Sequence, residues 1–135
     1  MASSKQYKRK VNNKGRNTGQ QFIRLDAAVT QSPAWRSLFC EARSLLIEIW
    51  KRHNGYNNGK ISYSHREAKE ALGIGSTKAK RAFDQLIERG FLIIRRASSF
   101  NFKGNGGASR ATEWELTTEP CDGESPKRNY LSYRN

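Results

Sequence analysis

The residues of this chain best suited to chemistry are basic or hydroxylated, and they crowd into one short stretch. Residues 71–91 read ALGIGSTKAKRAFDQLIERGF, two helix-like patterns pinched around Gly73-Ile74-Gly75. Ser76, Thr77, Lys78, Lys80 and Arg81 follow the pinch with no acidic residue among them; Gln85 continues the polar side, and Asp84 and Glu88 come later. Such side chains bond phosphate oxygens and base edges: Arg or Lys to guanine, Gln to adenine, Thr to the thymine methyl. Charges placed only for solubility are usually mixed in sign, so the unmixed run predicts contact with a polyanion.

Groups suited to catalysis are isolated by comparison. Gly55-Tyr56-Asn57-Asn58-Gly59-Lys60 approaches a phosphate-binding loop but lacks one spacer residue, and Ile61 stands where Ser or Thr would bind magnesium, so turn chemistry is the better reading. Glu113 and Glu115 lie two apart on a strand pattern, sharing a polar face with no nucleophile beside them. His53 falls near a helix C-terminus, where a capping role is expected. His53 and His65 are the only histidines, and they and the cysteines Cys40 and Cys121, 81 positions apart, show no zinc-ligand spacing. We expect no metal, no cofactor, no structural disulfide and no enzymatic activity.

Charge points the same way. Lys and Arg number 25 against 12 Asp and Glu, a formal net charge of +13, which attracts polyanions whatever the fold. No apolar run approaches the ~18 residues a membrane span needs, and the N-terminus lacks the apolar core of a secretion signal. The expected setting is cytoplasmic and nucleoid-associated, with no membrane partner.

Composition divides the chain into three. Residues 1–20 hold Lys5, Lys8, Arg9, Lys10, Lys14 and Arg16 with no acidic residue, which predicts a disordered basic arm adding phosphate contacts. Residues 21–117 predict one folded domain, and the chain from 118 to 135 turns polar, predicting an extended tail docked at most by Tyr130 and Tyr133. Within the domain, Ser32-Pro33 opens a short lead-in helix. Leu38, Phe39, Ala42, Leu45, Leu46, Ile49 and Trp50 form one face of a main helix over 38–53. Asn54 to Gly59 predicts a turn and residues 60–63 a short strand; Ser64-His65-Arg66-Glu67 has the form of a capping box, and Gly73 stops its helix. The next helix runs from a cap at Ser76 or Thr77 to a stop at Gly90, with Ala79, Ala82, Phe83, Leu86 and Ile87 inward. Residues 91–96 and 111–117 predict a hairpin with Trp114 and Leu116 inward, joined by a glycine-rich, basic segment over 98–110.

This order of helix, short strand, helix, tight turn, helix and basic hairpin resembles the winged helix-turn-helix family of DNA-binding domains, over about residues 36–117. The segment from Ala42-Arg43 to Asn58-Gly59 is similar to winged-helix proteins of bacterial prophages and plasmids, including replication-initiator relatives. The resemblance implies an α+β fold and a recognition helix over 77–89. Within it Thr77, Lys78 and Arg81 would read bases, Ser76 and Lys80 would hold phosphate, and Gln85 would lie on the same face. The wing would add Lys103 and Arg110, with Arg95 or Arg96 at its base; the arm would add Lys8, Arg9, Lys10, Lys14 and Arg16. The function implied is a sequence-specific double-stranded DNA-binding regulator of a mobile element or phage. A replication or recombination accessory protein and a protein-interaction module are the alternatives. A homodimer would double the short site that one helix reads.

Overall fold

The computed structural model describes residues 22–100 and 109–134. In chain order these form α1 (Ala27–Thr30), α2 (Pro33–Arg36), α3 (Cys40–Lys51), β1 (Ile61–Ser62), α4 (His65–Leu72), α5 (Ser76–Glu88), β2 (Leu92–Arg96), β3 (Ser99–Phe100), β4 (Ser109–Arg110), β5 (Glu113–Leu116) and a 3₁₀ turn, Asn129–Ser132. The architecture is mixed α+β, with an antiparallel sheet in the order β1-β5-β2 and a small β3-β4 ribbon continuing β2 and β5.

The helix boundaries follow from local chemistry. Ser32 Oγ accepts a 3.3 Å bond from the Trp35 amide, with Pro33 at the first helical position, so α2 starts where expected. At α4 the capping box is complete: Ser64 Oγ accepts from the Glu67 amide (3.0 Å), and Glu67 Oε2 accepts from the Ser64 amide (2.7 Å). Gly73 ends that helix at φ +63°, a left-handed conformation that disfavours side chains with a Cβ. The expected Ser or Thr cap of α5 is not what forms. Gly75 is the cap residue, without a side-chain bond, and Ser76 and Thr77 lie in the first turn, exposed.

α3, α4 and α5 pack on one another, α5 also meets β2, and Leu45, Leu46, Ile49, Leu86, Leu92 and Leu116 are almost wholly buried in the shared core. Phe39, expected on the buried face of α3, is its cap residue and stays 47% exposed. On β5, Trp114 pairs with Ile61 and Ile94, donates its indole N–H to the Tyr63 carbonyl (3.0 Å), and stacks on Phe83 with ring centroids 5.1 Å apart. α5 is thereby fixed to the sheet. The expected C-terminal cap at His53 does not form; its buried Nε2 finds no hydrogen-bond partner among the described residues. Arg52 ties that end down instead, donating to the Ser62 carbonyl (2.6 Å) and to Glu67 (2.9 Å).

The other face of β5 departs from the expected polar surface. Glu115 is fully buried, and its Oε1 accepts from Arg95 (2.7 Å) and Lys127 (3.0 Å). The segment after 117 is therefore part of the fold and not an extended tail. Tyr130 is buried and stacks on Phe91 at 5.0 Å, with Trp35 edge-on to the same ring. Cys121 is buried as well, and its thiol donates to the Asn58 carbonyl at 3.3 Å. Both cysteines are free. Asn58 holds the junction: its Nδ2 donates to the carbonyls of Leu116, Glu119 and Pro120, and its Oδ1 accepts from the Leu116 amide. Gly90 lets the 3₁₀ turn approach. At φ +84°, any Cβ there would lie 2.7 Å from the Asn129 backbone.

Truncating a core aromatic costs roughly 3–5 kcal/mol, so Tyr130→Ala should lower unfolding free energy by about 3 kcal/mol in urea melts. Gly90→Ala should cost more than about 1 kcal/mol through backbone strain alone. Wild-type midpoints for both variants would contradict the docking of the C-terminal segment.

Candidate nucleic-acid interface

α5 buries Ala79, Ala82, Phe83, Gln85 and Leu86 and leaves Ser76, Thr77, Lys78, Lys80 and Arg81 exposed. Five of the six side chains predicted on this helix therefore form one edge, beginning where the turn from α4 delivers the chain. That turn is braced by His65, whose ring stacks on Phe83 and whose Nε2 lies 3.0 Å from the Ser76 carbonyl oxygen, a hydrogen bond when that nitrogen carries the proton. Because Gly75 has no capping side chain, the first amides of α5 are open to an anionic ligand, and the basic side chains just after them add to that potential.

Gln85 does not belong to this edge. Its carboxamide is buried at 7% exposure, and Oε1 accepts a 2.9 Å bond from the Phe39 amide, one of the otherwise unpaired donors at the start of α3. A polar residue three positions after Ala82 sits at the margin of the buried face, and here that margin adjoins α3.

The exposed basic residues differ in how firmly they are held. Lys80 Nζ bonds Asp84 at 2.8 Å, yet both side chains are more than half exposed. A pair of that kind contributes roughly 0.2–1 kcal/mol and gives way readily to phosphate. Arg81 is held more elaborately: its Nη2 donates to Glu41 Oε1 at 2.6 Å, and its guanidinium lies 4.2 Å from the Phe39 ring centroid. Lys78 makes no ion pair with a described residue and adds its charge to the field at Glu41. The Glu41 carboxyl is held below the ordinary glutamate range, first by its own backbone N–H at the open end of α3 and then by Arg81.

The hairpin corrects a further expectation. Between Ile94 and Arg96 the register with β5 shifts, leaving Arg95 as the extra residue of a bulge. Its guanidinium is engaged by the buried Glu115 (2.7 Å) and by Asp122 (3.5 Å), so Arg95 serves the sheet. Removing it would leave a buried carboxylate undercompensated, a strongly destabilising change. Arg96 is exposed opposite Glu113. Arg110 falls in β4, its backbone paired with Ser99. Lys103 and the arm residues Lys8, Arg9, Lys10, Lys14 and Arg16 lie outside the described residues.

The other sequence candidates have structural explanations. In the 54–59 turn, Asn54 Oδ1 accepts from the amides of Tyr56 (2.9 Å) and Asn57 (3.0 Å), so donors that would cradle a phosphate are used within the turn. Among the described residues, no group of three or more His, Cys, Asp or Glu side chains could hold a metal ion, and no helix is long and apolar enough to cross a membrane. The residues that reading along the chain missed are Phe39 and Glu41. Their one visible sign is an apolar residue and an acid beside Cys40, 42 and 40 positions before the arginine they meet. Comparison with models of known families, with curated proteins and with solved structures found no match.

Because folding depresses the Glu41 pKa, its contribution to stability is present above the ordinary value of about 4.5 and is lost as pH falls through the lower folded value. Urea midpoints of Glu41→Gln should therefore lie below wild type at pH 7 and converge with it at the acid end. A gap that persists unchanged into acid would contradict the pairing.

Proposed function

We propose that this chain is a winged helix-turn-helix protein that binds double-stranded DNA, with α5 as the recognition helix and the β2-β5 hairpin as the wing. The observation that carries this reading is the outward first half of α5. There Ser76, Thr77, Lys78, Lys80 and Arg81 are exposed at an uncapped helix start, while the acids of the helix, Asp84 and Glu88, follow later. The mutual packing of α3, α4 and α5, with α5 against a sheet ordered β1-β5-β2, is compatible with that fold. Thr77, Lys78 and Arg81 are the proposed base readers, and Ser76 and Lys80 the proposed phosphate contacts. Arg96, Arg110 and Lys103 are the proposed wing contacts; Arg95 and Gln85 have no part in the interface, since Glu115 and the Phe39 amide engage them. The biological role that fits is operator occupancy in a mobile element or phage, with a homodimer extending the site.

The test is fluorescence anisotropy on labelled duplexes between about 50 and about 200 mM salt, where binding through several phosphates should weaken steeply. Lys78→Ala should reduce duplex affinity about tenfold without moving the urea midpoint. Gln85→Ala should do the reverse, lowering stability while the folded fraction keeps its overall duplex affinity. Salt-insensitive binding, or no duplex binding together with a co-purifying protein, would contradict this reading and favour an interaction module.

A further inference from the structure

The setting of Arg81 carries more than a surface ion pair requires. Two groups from the start of α3 meet it, and a third, from α5, holds one of them in place. The Phe39 amide is pinned by Gln85 at 2.9 Å, one helical turn beyond Arg81. That bond fixes the backbone beneath the Phe39 ring, which stays 47% exposed with the guanidinium 4.2 Å from its centroid. Glu41 then takes one edge of the guanidinium at 2.6 Å. An arginine has five N–H donors in a rigid fork, so one bond to Glu41 leaves others open on the exposed side.

The carboxylate changes what those open donors select. Beside Glu41 the net charge at Arg81 is close to zero, and a phosphate approaching it meets a like charge. A guanine edge presents neutral acceptors, O6 and N7, and suffers much less of that repulsion. An aromatic platform and a carboxylate together also remove most of the side-chain freedom that base readout would otherwise have to freeze. Phosphate affinity is left to Ser76 and to Lys80, whose ion pair with Asp84 is exposed.

We propose that Phe39 and Glu41 are positioning residues that present Arg81 to a guanine edge in duplex DNA, so that the start of α3 sets base preference and not overall affinity. The proposal rests on the DNA-binding reading above and assigns a role to residues outside the recognition helix.

The experiment is selection from a random 20-base-pair duplex library with wild type, Glu41→Gln, Arg81→Ala and the double variant, followed by anisotropy on the selected duplex and on one with the guanine replaced by adenine. Wild type should prefer the guanine duplex about tenfold. In Glu41→Gln that ratio should fall to about twofold while binding to the adenine duplex holds or rises. Arg81→Ala should lose the ratio, and adding Glu41→Gln to it should change nothing more, because Glu41 acts through Arg81. An unchanged ratio in Glu41→Gln, or an equal gain on both duplexes, would overturn the positioning role alone. A wild type that binds duplex without selecting a motif would overturn base readout and the positioning role with it, and one that binds no duplex would overturn the DNA-binding reading itself.

Discussion

The stack of Phe83 on Trp114 is the contact on which the arrangement turns. Trp114 lies in the central strand between Ile61 and Ile94, and Phe83 faces it from the inner side of α5, with His65 of α4 stacked on the same ring. Aromatic pairs of this geometry contribute roughly 0.5–1.5 kcal/mol beyond their buried area, and this one joins both helices of the turn to the sheet. The inner face of α5 is thus fully occupied by packing. What the opposite face presents is settled in rotation and height before any ligand arrives, which lets individual side chains along it carry distinct roles.

A second constraint is where positive charge is spent. The chain carries +13 overall, yet several of its cations are taken up by the fold itself: Arg52 by Ser62 and Glu67, Arg95 and Lys127 by Glu115, and Arg43 by the carbonyls of Trp35 and Arg36. Net charge is a sound guide to long-range attraction and a poor guide to which residues make contact. The side chains at the start of α5 stand out because they are basic and also exposed on a face the core does not use.

Much of the fold was legible along the chain, and the reason is locality. The Ser64–Glu67 capping box, the Gly73 stop, the Asn54–Gly59 turn and the apolar face of α3 each depend on residues a few positions apart. What was not legible depended on partners far away. Gln85 reads as a surface residue until Phe39 is seen 46 positions earlier, and Arg95 reads as a wing contact until a bulge turns it toward Glu115. The polar composition of 118–135 likewise concealed two anchors, Cys121 and Lys127, beside the tyrosine at 130 that was readable. Of the candidate interface, the exposed edge was readable from the period of α5, whereas the cradle around Arg81 was not.

Whether the solvent side of α5 meets DNA, as proposed, is read out by amide chemical-shift mapping of the 135-residue chain during titration with a duplex. The largest shifts should fall on Gly75 to Arg81, with a second group along β2 and β5 and little change in the 3₁₀ turn. Shifts concentrated on α1, α2 and the 3₁₀ turn, with the start of α5 silent, would contradict it.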